Sequence, residues 1–221
     1  MTRGMADAAF DPVAAARLAG VAGLVGVFGN VVAVALLHDM PSAYRLARLE
    51  EWVTAVHAQP IGSVASSVAF TLGLIALGGW ATHLGRAVGT AAARAGAALI
   101  AVCAIANAVG TLAPIVQALH VGSCGSACDA VGRALLGFSL ALDALFNLAL
   151  GIGLWLVAAG VREQRRTRTL MQAAGLLSLP VAAQAVWDPA ATMLYYAAPL
   201  WLAVIVMTSL RWLEGHVATP R

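Results

Sequence analysis

The side chain in this sequence with the strongest claim to chemistry is an acid inside an apolar segment. Asp143 lies in a long run of apolar residues, and Ser139, Asn147 and Gly151 recur around it at intervals of four. That spacing places the four residues on one face of a helix. A charged group in hydrocarbon is costly, so this polar face has to turn toward other helices rather than toward lipid.

Two roles for this polar face are open. Asn107 and Gln184 lie in other apolar segments and are candidate partners of Asp143, in which case the cluster joins helices through hydrogen bonds. Alternatively, Asp143 carries protons or binds a substrate, as intramembrane acids do in pumps and transporters. A smaller polar stripe at Ser63 and Ser67 is typical of helix packing. The residue types favour the structural role, and transport stays the alternative.

A second candidate site is the segment HVGSCGSACD, residues 120–129, which holds two of the three cysteines. Cys124 and Cys128 are a candidate disulfide pair, which an oxidising compartment would favour. With His120 and Asp129 they also resemble a metal-ligand set, although the glycines between them argue against the helix that would align the ligands. A plain turn with reduced cysteines is the third interpretation. The side of the membrane on which the segment lies bears on all three.

These candidate sites have to be positioned by membrane-spanning helices. Of the 221 residues, 61% are hydrophobic and only 10% are charged, whereas an average soluble domain has about 25% charged residues. A helix needs about 20 apolar residues to cross the hydrocarbon core of a bilayer. We therefore predict an all-α fold, a polytopic membrane helix bundle with six transmembrane helices. The predicted spans cover about residues 18–37, 61–82, 95–119, 134–161, 170–187 and 190–210.

The arginines indicate how these helices are oriented. All 13 basic residues are arginine, and cytoplasmic loops of membrane proteins accumulate basic residues. Ten arginines lie in the leader 1–17, the second and fourth loops and the tail 211–221, and three lie in the other loops. This bias predicts that both termini are cytoplasmic. It also places residues 120–129 outside, where a disulfide is the favoured chemistry.

The first external loop, residues 38–60, is long enough to contain a helix. Leu46, Leu49, Val53 and Val56 fall on one stripe, which is typical of a helix that lies in the membrane interface. We expect this helix to be a structural lid on the bundle, with a ligand gate as the alternative.

Motifs of well-known enzyme classes do not occur in the sequence. It contains no Gly-x-Ser-x-Gly, no His-Glu-x-x-His and no phosphate-binding glycine loop, so we assign no catalytic residue and no cofactor. The arginines form no basic face with interleaved aromatic residues, so we expect no direct binding of nucleic acid. A membrane protein without enzymatic activity is the predicted class.

The densest charge in the predicted cytoplasmic segments is the sequence VREQRRTR, residues 161–168. It is interpreted either as an anchor that follows the positive-inside bias or as a patch that binds an acidic surface of a soluble partner. Guanidinium groups suit the second role because they pair with carboxylates through two hydrogen bonds. The candidate partner-binding residues are Arg162, Arg165, Arg166 and Arg168.

The chain as a whole resembles the CarR family of integral-membrane anti-sigma factors of light-induced carotenoid synthesis. The resemblance lies in the length, the six predicted spans, the cytoplasmic ends and the arginine-only basic residues, from the start MTRGMADAAFDPVAAARLAG onward. It implies that the protein retains an extracytoplasmic-function sigma factor at the inner membrane in the dark. Light then leads to inactivation of the protein and release of the sigma factor, which controls transcription of carotenoid genes. A small transporter or proton-coupled permease that uses Asp143 is the alternative function.

Overall fold

The computed structural model describes residues 11–36, 49–119, 126–161 and 164–214, which form helices joined by short turns, with no strand among them. The predicted all-α fold is confirmed for this part of the chain. The helices are α1 (Pro12–Leu36), α2 (Leu49–Ala58), α3 (Pro60–Val88), α4 (Ala91–Gly110), α5 (Leu112–Leu119), α6 (Ser126–Gly160), α7 (Arg165–Val181) and α8 (Asp188–Leu213).

The long helices form a closed ring. In the order α1, α3, α4, α6, α7 and α8, each helix packs against the next, and α8 returns to pack against α1. The short helices α2 and α5 contact each other and also touch α3 and α6. Short connections between consecutive helices favour an antiparallel arrangement. The interior of such a ring is sheltered from lipid, so polar side chains can be placed there.

Five helical segments are long and apolar enough to cross a membrane, which makes the chain a multi-pass membrane protein. The fifth predicted span, at residues 170–187, is not among them and overlaps α7, a helix of 17 residues that begins with the polar sequence RRTR. Six spans and the side on which the termini lie therefore stay predictions. The five segments are Pro12–Leu36, Pro60–Val88, Ala91–Leu119, Ala130–Gly160 and Met193–Leu213.

Local sequence explains the tight turn between α3 and α4. Gly89 ends α3 with a φ of 78°, a left-handed conformation that glycine adopts without a steric penalty, and its N–H donates to the carbonyl of Gly85. The next residue, Thr90, begins α4, because its hydroxyl accepts a hydrogen bond of 3.1 Å from the backbone N–H of Ala93. These two residues turn the chain back on itself.

Glycines allow α1 to approach its two neighbours in the ring closely. A Cβ atom on Gly29 would lie 2.6 Å from the carbonyl oxygen of Ala69 and 2.9 Å from the Cα of Gly73, both on α3. Nearer the other end of α1, a Cβ on Gly20 would lie 2.8 Å from the carbonyl oxygen of Ser209 on α8. Contacts between small residues of this kind are a common basis of helix packing in membranes.

Helix α2 lies within the loop for which an interfacial helix was expected. Its buried side chains Trp52, Val53 and Val56 pack with Ala118 of α5 and Leu136 of α6. The apolar face of α2 thus covers the bundle at the end where α1 finishes and α6 begins.

Candidate functional site

Three amide side chains surround the carboxyl group of Asp143 on α6. Asn107 of α4 donates a hydrogen bond of 3.0 Å from its Nδ2 to Oδ1 of Asp143, and Gln184, in the turn after α7, donates from its Nε2 to Oδ2. Asn147 of α6 donates to the main-chain carbonyl of Asp143 at 2.9 Å, with Oδ2 3.4 Å away. The carboxyl group therefore joins three elements of the ring.

The remaining members of the predicted stripe on α6 have different surroundings. Ser139 is buried one turn before Asp143 and lines the same cavity as the cluster. Gly151 instead faces α7, where a Cβ atom would lie 3.0 Å from the carbonyl oxygen of Gly175. One part of the stripe thus forms a polar site, while the other part lets two helices pack closely.

The Asp143 cluster lies on the wall of a cavity with a volume of about 580 Å³. Pockets that bind small molecules have volumes of roughly 300–1,000 Å³. Asp143 is half-buried in the chain because it borders this cavity. Further polar groups on the wall come from Asn30, Ser63, Ser66, Ser67 and Thr111. Aromatic side chains on the wall come from Trp52, Phe70, Phe146, Tyr195 and Trp201.

Two buried polar atoms on this wall have no hydrogen-bond partner among the described residues. They are Oγ of Ser63 and Oδ1 of Asn107, and their residues are only 2% and 1% exposed. The stripe of Ser63 and Ser67 was expected to serve helix packing, and the structure places both residues on the cavity wall. Their spacing on α3 was visible in the sequence, but which surface they face depends on how the helices pack.

The cavity opens at the side of the bundle between α1 and α8. Val31, Val34 and Tyr195 line the cavity and are also 51%, 70% and 75% exposed. Toward the opposite end, the two helices are in close contact at Gly20 and Ser209. Helices α1 and α8 therefore meet closely at one end of the bundle and leave an opening toward the other end.

The candidate partner-binding arginines lie at the start of α7. Arg165 and Arg166 are exposed in its first turn, and Arg168 is half-buried. Arg162 lies outside the described residues. Of the three candidate arginines that the structure describes, Arg165 and Arg166 are therefore exposed.

Other exposed arginines lie at the same end of the bundle. Arg211, near the end of α8, donates from its Nη1 to Oε1 of Gln164 just before α7, and Thr167 Oγ1 lies 3.4 Å from the same nitrogen. A Cβ on Gly160 at the end of α6 would touch Thr90, which brings the turn between α3 and α4 to this end too. We call this surface the arginine end. Its exposed arginines in the described residues are Arg17, Arg86, Arg94, Arg165, Arg166 and Arg211.

The predicted cysteine site lies outside what the structure describes. Residues 120–125, which include His120 and Cys124, lie outside the described part of the chain. The side chains of Cys128 and Asp129, in the first turn of α6, lie outside it too. Both the disulfide and the metal interpretation of this segment stay predictions. In the described segments, no group of three or more His, Cys, Asp or Glu side chains could hold a metal ion.

Known proteins do not identify this chain. No protein-family model, no curated protein and no solved structure matches it. The Asp143 cavity and the arginine end are the two features of the molecule that point to a function.

Proposed function

We propose that this protein is a six-span anti-sigma factor of the inner membrane, with both termini in the cytoplasm. It holds an extracytoplasmic-function sigma factor at the membrane in the dark and releases it on illumination, which controls carotenoid gene transcription. The observation that carries the proposal is the arginine end, where arginines from five helices are exposed. The resemblance of the whole chain to CarR-type proteins supplies the class of partner and the light signal.

In the proposed topology α7 crosses the membrane in addition to the five long apolar segments. A helix of 17 residues is about 26 Å long, and the hydrocarbon core is about 30 Å thick. The turn at residues 182–187 continues the chain beyond α7 before α8 begins. Within the ring, α7 packs between α6 and α8, as the other long helices pack between their neighbours. Six antiparallel spans bring both ends of the chain to the arginine end, which the positive-inside bias assigns to the cytoplasm.

The charge at the start of α7 favours a binding role. The amino end of a helix carries partial positive charge, so Arg165 and Arg166 in the first turn are unfavourable for the helix itself. An acidic surface of a soluble partner offsets this cost, because arginine forms bidentate hydrogen bonds with carboxylates. The start of α7 is therefore the proposed binding segment for the sigma factor, because it gains most from an acidic partner.

The experiment that tests this function is the recovery of the partner from dark-grown cells. We expect the tagged full-length protein, solubilised in mild detergent, to bring down a sigma factor identified by mass spectrometry, and illumination before lysis to remove it. The double variant R165E/R166E should recover at least about ten-fold less sigma factor, because opposed charges at an interface become like charges.

The matched control is R133E, since Arg133 lies at the opposite end of the bundle, where its Nη1 is 3.6 Å from Oε1 of Glu50. This variant should recover the sigma factor as the wild type does. If cross-linked dark samples contain the intact bait and no sigma factor, the proposal is wrong.

The Asp143 cluster favours a second candidate, a small transporter or proton-coupled permease. Its supporting observation is a carboxyl group on the wall of an intramembrane cavity, since such groups line substrate and proton pathways. The variant Asp143→Asn should abolish transport and leave sigma-factor recovery unchanged, whereas R165E/R166E should do the reverse. Release of the sigma factor by a folded, inserted Asp143→Asn protein would contradict this division of roles.

A further inference from the structure

The site around Asp143 offers hydrogen-bond acceptors to a ligand that carries a donor. An ionised carboxylate has only acceptors, so Asn107 and Gln184 turn their NH₂ groups toward it. This orientation leaves Oδ1 of Asn107 on the cavity wall with no partner among the described residues, and Oγ of Ser63 is in the same situation. Buried polar atoms are costly when they lack partners. A bound molecule that donates a hydrogen bond beside the Asp143 carboxyl group would satisfy Asn107.

An ionised Asp143 disfavours one class of ligand. The groups that contact its carboxyl group in the described part of the chain are neutral amides. A carboxylate or phosphate placed beside Asp143 would therefore meet a like charge with no cation between them. A neutral hydroxyl or a protonated amine meets an acceptor instead. The shared chemistry is a head group that donates hydrogen bonds.

The rest of the cavity wall suits an apolar chain. Phe70, Phe146 and Trp201 line the same cavity as the polar cluster. The opening lies between α1 and α8, where the exposed side chains Val31 and Val34 are aliphatic. In a multi-pass membrane protein this side of the bundle faces lipid, so the route into the cavity leads from the bilayer.

We infer that the cavity binds an amphipathic, lipid-like molecule with a hydroxyl or amine head. The head lies against Asn107 and the Asp143 carboxyl group, and the apolar chain leaves between α1 and α8. This binding goes beyond sigma-factor retention and does not depend on it. The two proposals also fail separately, because one is tested by recovery of a protein and the other by binding of a lipid-like probe.

The test uses a photoreactive probe on the full-length protein in detergent. The probe is hexadecanol with a diazirine in the middle of its chain, and cross-linked peptides are mapped by mass spectrometry. We expect saturable labelling on α1 and α8 near Val34 and Tyr195. Labelling that does not saturate, or that is spread evenly over the lipid-facing surface, would overturn the inference.

Two pairs of matched variants separate a site from general lipid contact. Asn107→Ala removes the unpartnered amide oxygen of the residue that contacts Asp143, and Ser209→Ala removes the unpartnered, buried hydroxyl of Ser209, which does not line the cavity. Asn107→Ala should require about three- to ten-fold more probe for half-saturation, the ratio expected for one hydrogen bond. Ser209→Ala should match the wild type. Equal curves for all three proteins would show that the head group is not recognised.

The second pair of variants tests the opening, and both substitutions are made at exposed positions. Val34→Trp places a large side chain at the exposed rim, and Val102→Trp places the same side chain at a 66% exposed position of α4 that does not line the cavity. Val34→Trp should reduce labelling at saturation by at least about five-fold, since a cavity entrance filled by a side chain excludes the ligand. Equal loss in both variants would overturn the proposed route.

Competition identifies the head group. Hexadecanol and hexadecylamine are each added against the probe, together with hexadecanoate and hexadecane as controls. Stronger competition by the alcohol assigns a neutral head, and stronger competition by the amine assigns a cationic one. Competition by hexadecanoate or hexadecane as strong as that by both donors would contradict a site that recognises donors.

Discussion

At the scale of single residues, Asp143 shows how an acid is accommodated inside an apolar bundle. The amides of Asn107 and Gln184 each donate to one oxygen of the carboxyl group, and the amide of Asn147 lies 3.4 Å from Oδ2 while it donates to the main-chain carbonyl. Donors are the groups that a carboxylate requires. The carboxyl group also borders the cavity. The cluster therefore stabilises contacts between α4, α6 and the end of α7 while it keeps one side available to a ligand.

Replacement of Asp143 should separate its role as an acceptor from its charge. Asp143→Leu strands the amide donors of Asn107 and Gln184, which are buried. It should lower the free energy of unfolding by about 2–6 kcal/mol, since each stranded donor costs about 1–3 kcal/mol. Asp143→Asn keeps one acceptor, and Gln184 can rotate its amide, so the loss should stay within about 1 kcal/mol.

Thermal unfolding of the purified proteins in detergent measures both effects. Equal stability of Asp143→Leu and the wild type would mean that these amides find other partners. In that case the cluster would not join the helices.

At the scale of helices, small residues determine how closely α1 approaches α3. A side chain at Gly29 would meet the backbone of Ala69 and Gly73, which cannot move aside as a side chain can. The tight contact between these helices therefore depends on glycine at this position, and the glycine row of α1 is explained by packing.

Gly29→Ala should consequently destabilise the protein. We expect a loss of about 1–3 kcal/mol, as for overpacking of a well-filled interior. The control is Gly79→Ala on α3, where a Cβ meets nothing within 4 Å, so that variant should be neutral or gain up to about 1 kcal/mol from helix propensity. Unfolding in detergent measures the pair, and equal values would show that α1 is not closely packed in solution.

A hydrogen bond links α3 and α8 across the ring interior. The indole Nε1 of Trp80 donates to Oγ1 of Thr208 at 3.0 Å, and both residues are buried. In a double-mutant cycle, Trp80→Phe and Thr208→Val should show a coupling energy of about 0.5–1.5 kcal/mol. Additive losses of unfolding free energy would mean that the two side chains do not interact.

At the scale of the whole molecule, the ring gives the two ends of the bundle different surfaces. The arginine end has exposed arginines from five helices, whereas the opposite end is covered by α2, and the cavity opens at the side of the bundle in that half. One end therefore suits a soluble acidic partner, and the other half of the bundle suits a ligand from the bilayer.

The proposed arrangement of six spans predicts which positions an impermeant reagent reaches. In a variant with all three native cysteines replaced by alanine, single cysteines at Arg17, Arg166 and Arg211 should react with a membrane-impermeant maleimide only after the membrane is opened. A cysteine at Glu50 should react in intact cells. This pattern follows from an even number of spans with the arginine end in the cytoplasm. Reaction of position 166 in intact cells, with position 17 protected, would contradict it.

The amino-acid sequence alone indicated the class of this protein and identified Asp143 as the acid inside an apolar segment. Long apolar runs predict a multi-pass helical protein, because a bilayer can be crossed only by helices or closed barrels. The interval of four around Asp143 predicts a polar face that turns inward, and Asn107 and Gln184 were recognisable as candidate partners because few polar side chains occur in the apolar runs.

Only the tertiary structure decided what that polar face adjoins. The cavity, the unpartnered atoms of Ser63 and Asn107, and the opening beside Val34 arise from the closure of the ring and from the changing distance between α1 and α8. These features depend on contacts between residues far apart in the chain. Helical periodicity indicates which residues share a face but does not specify which other helix that face meets.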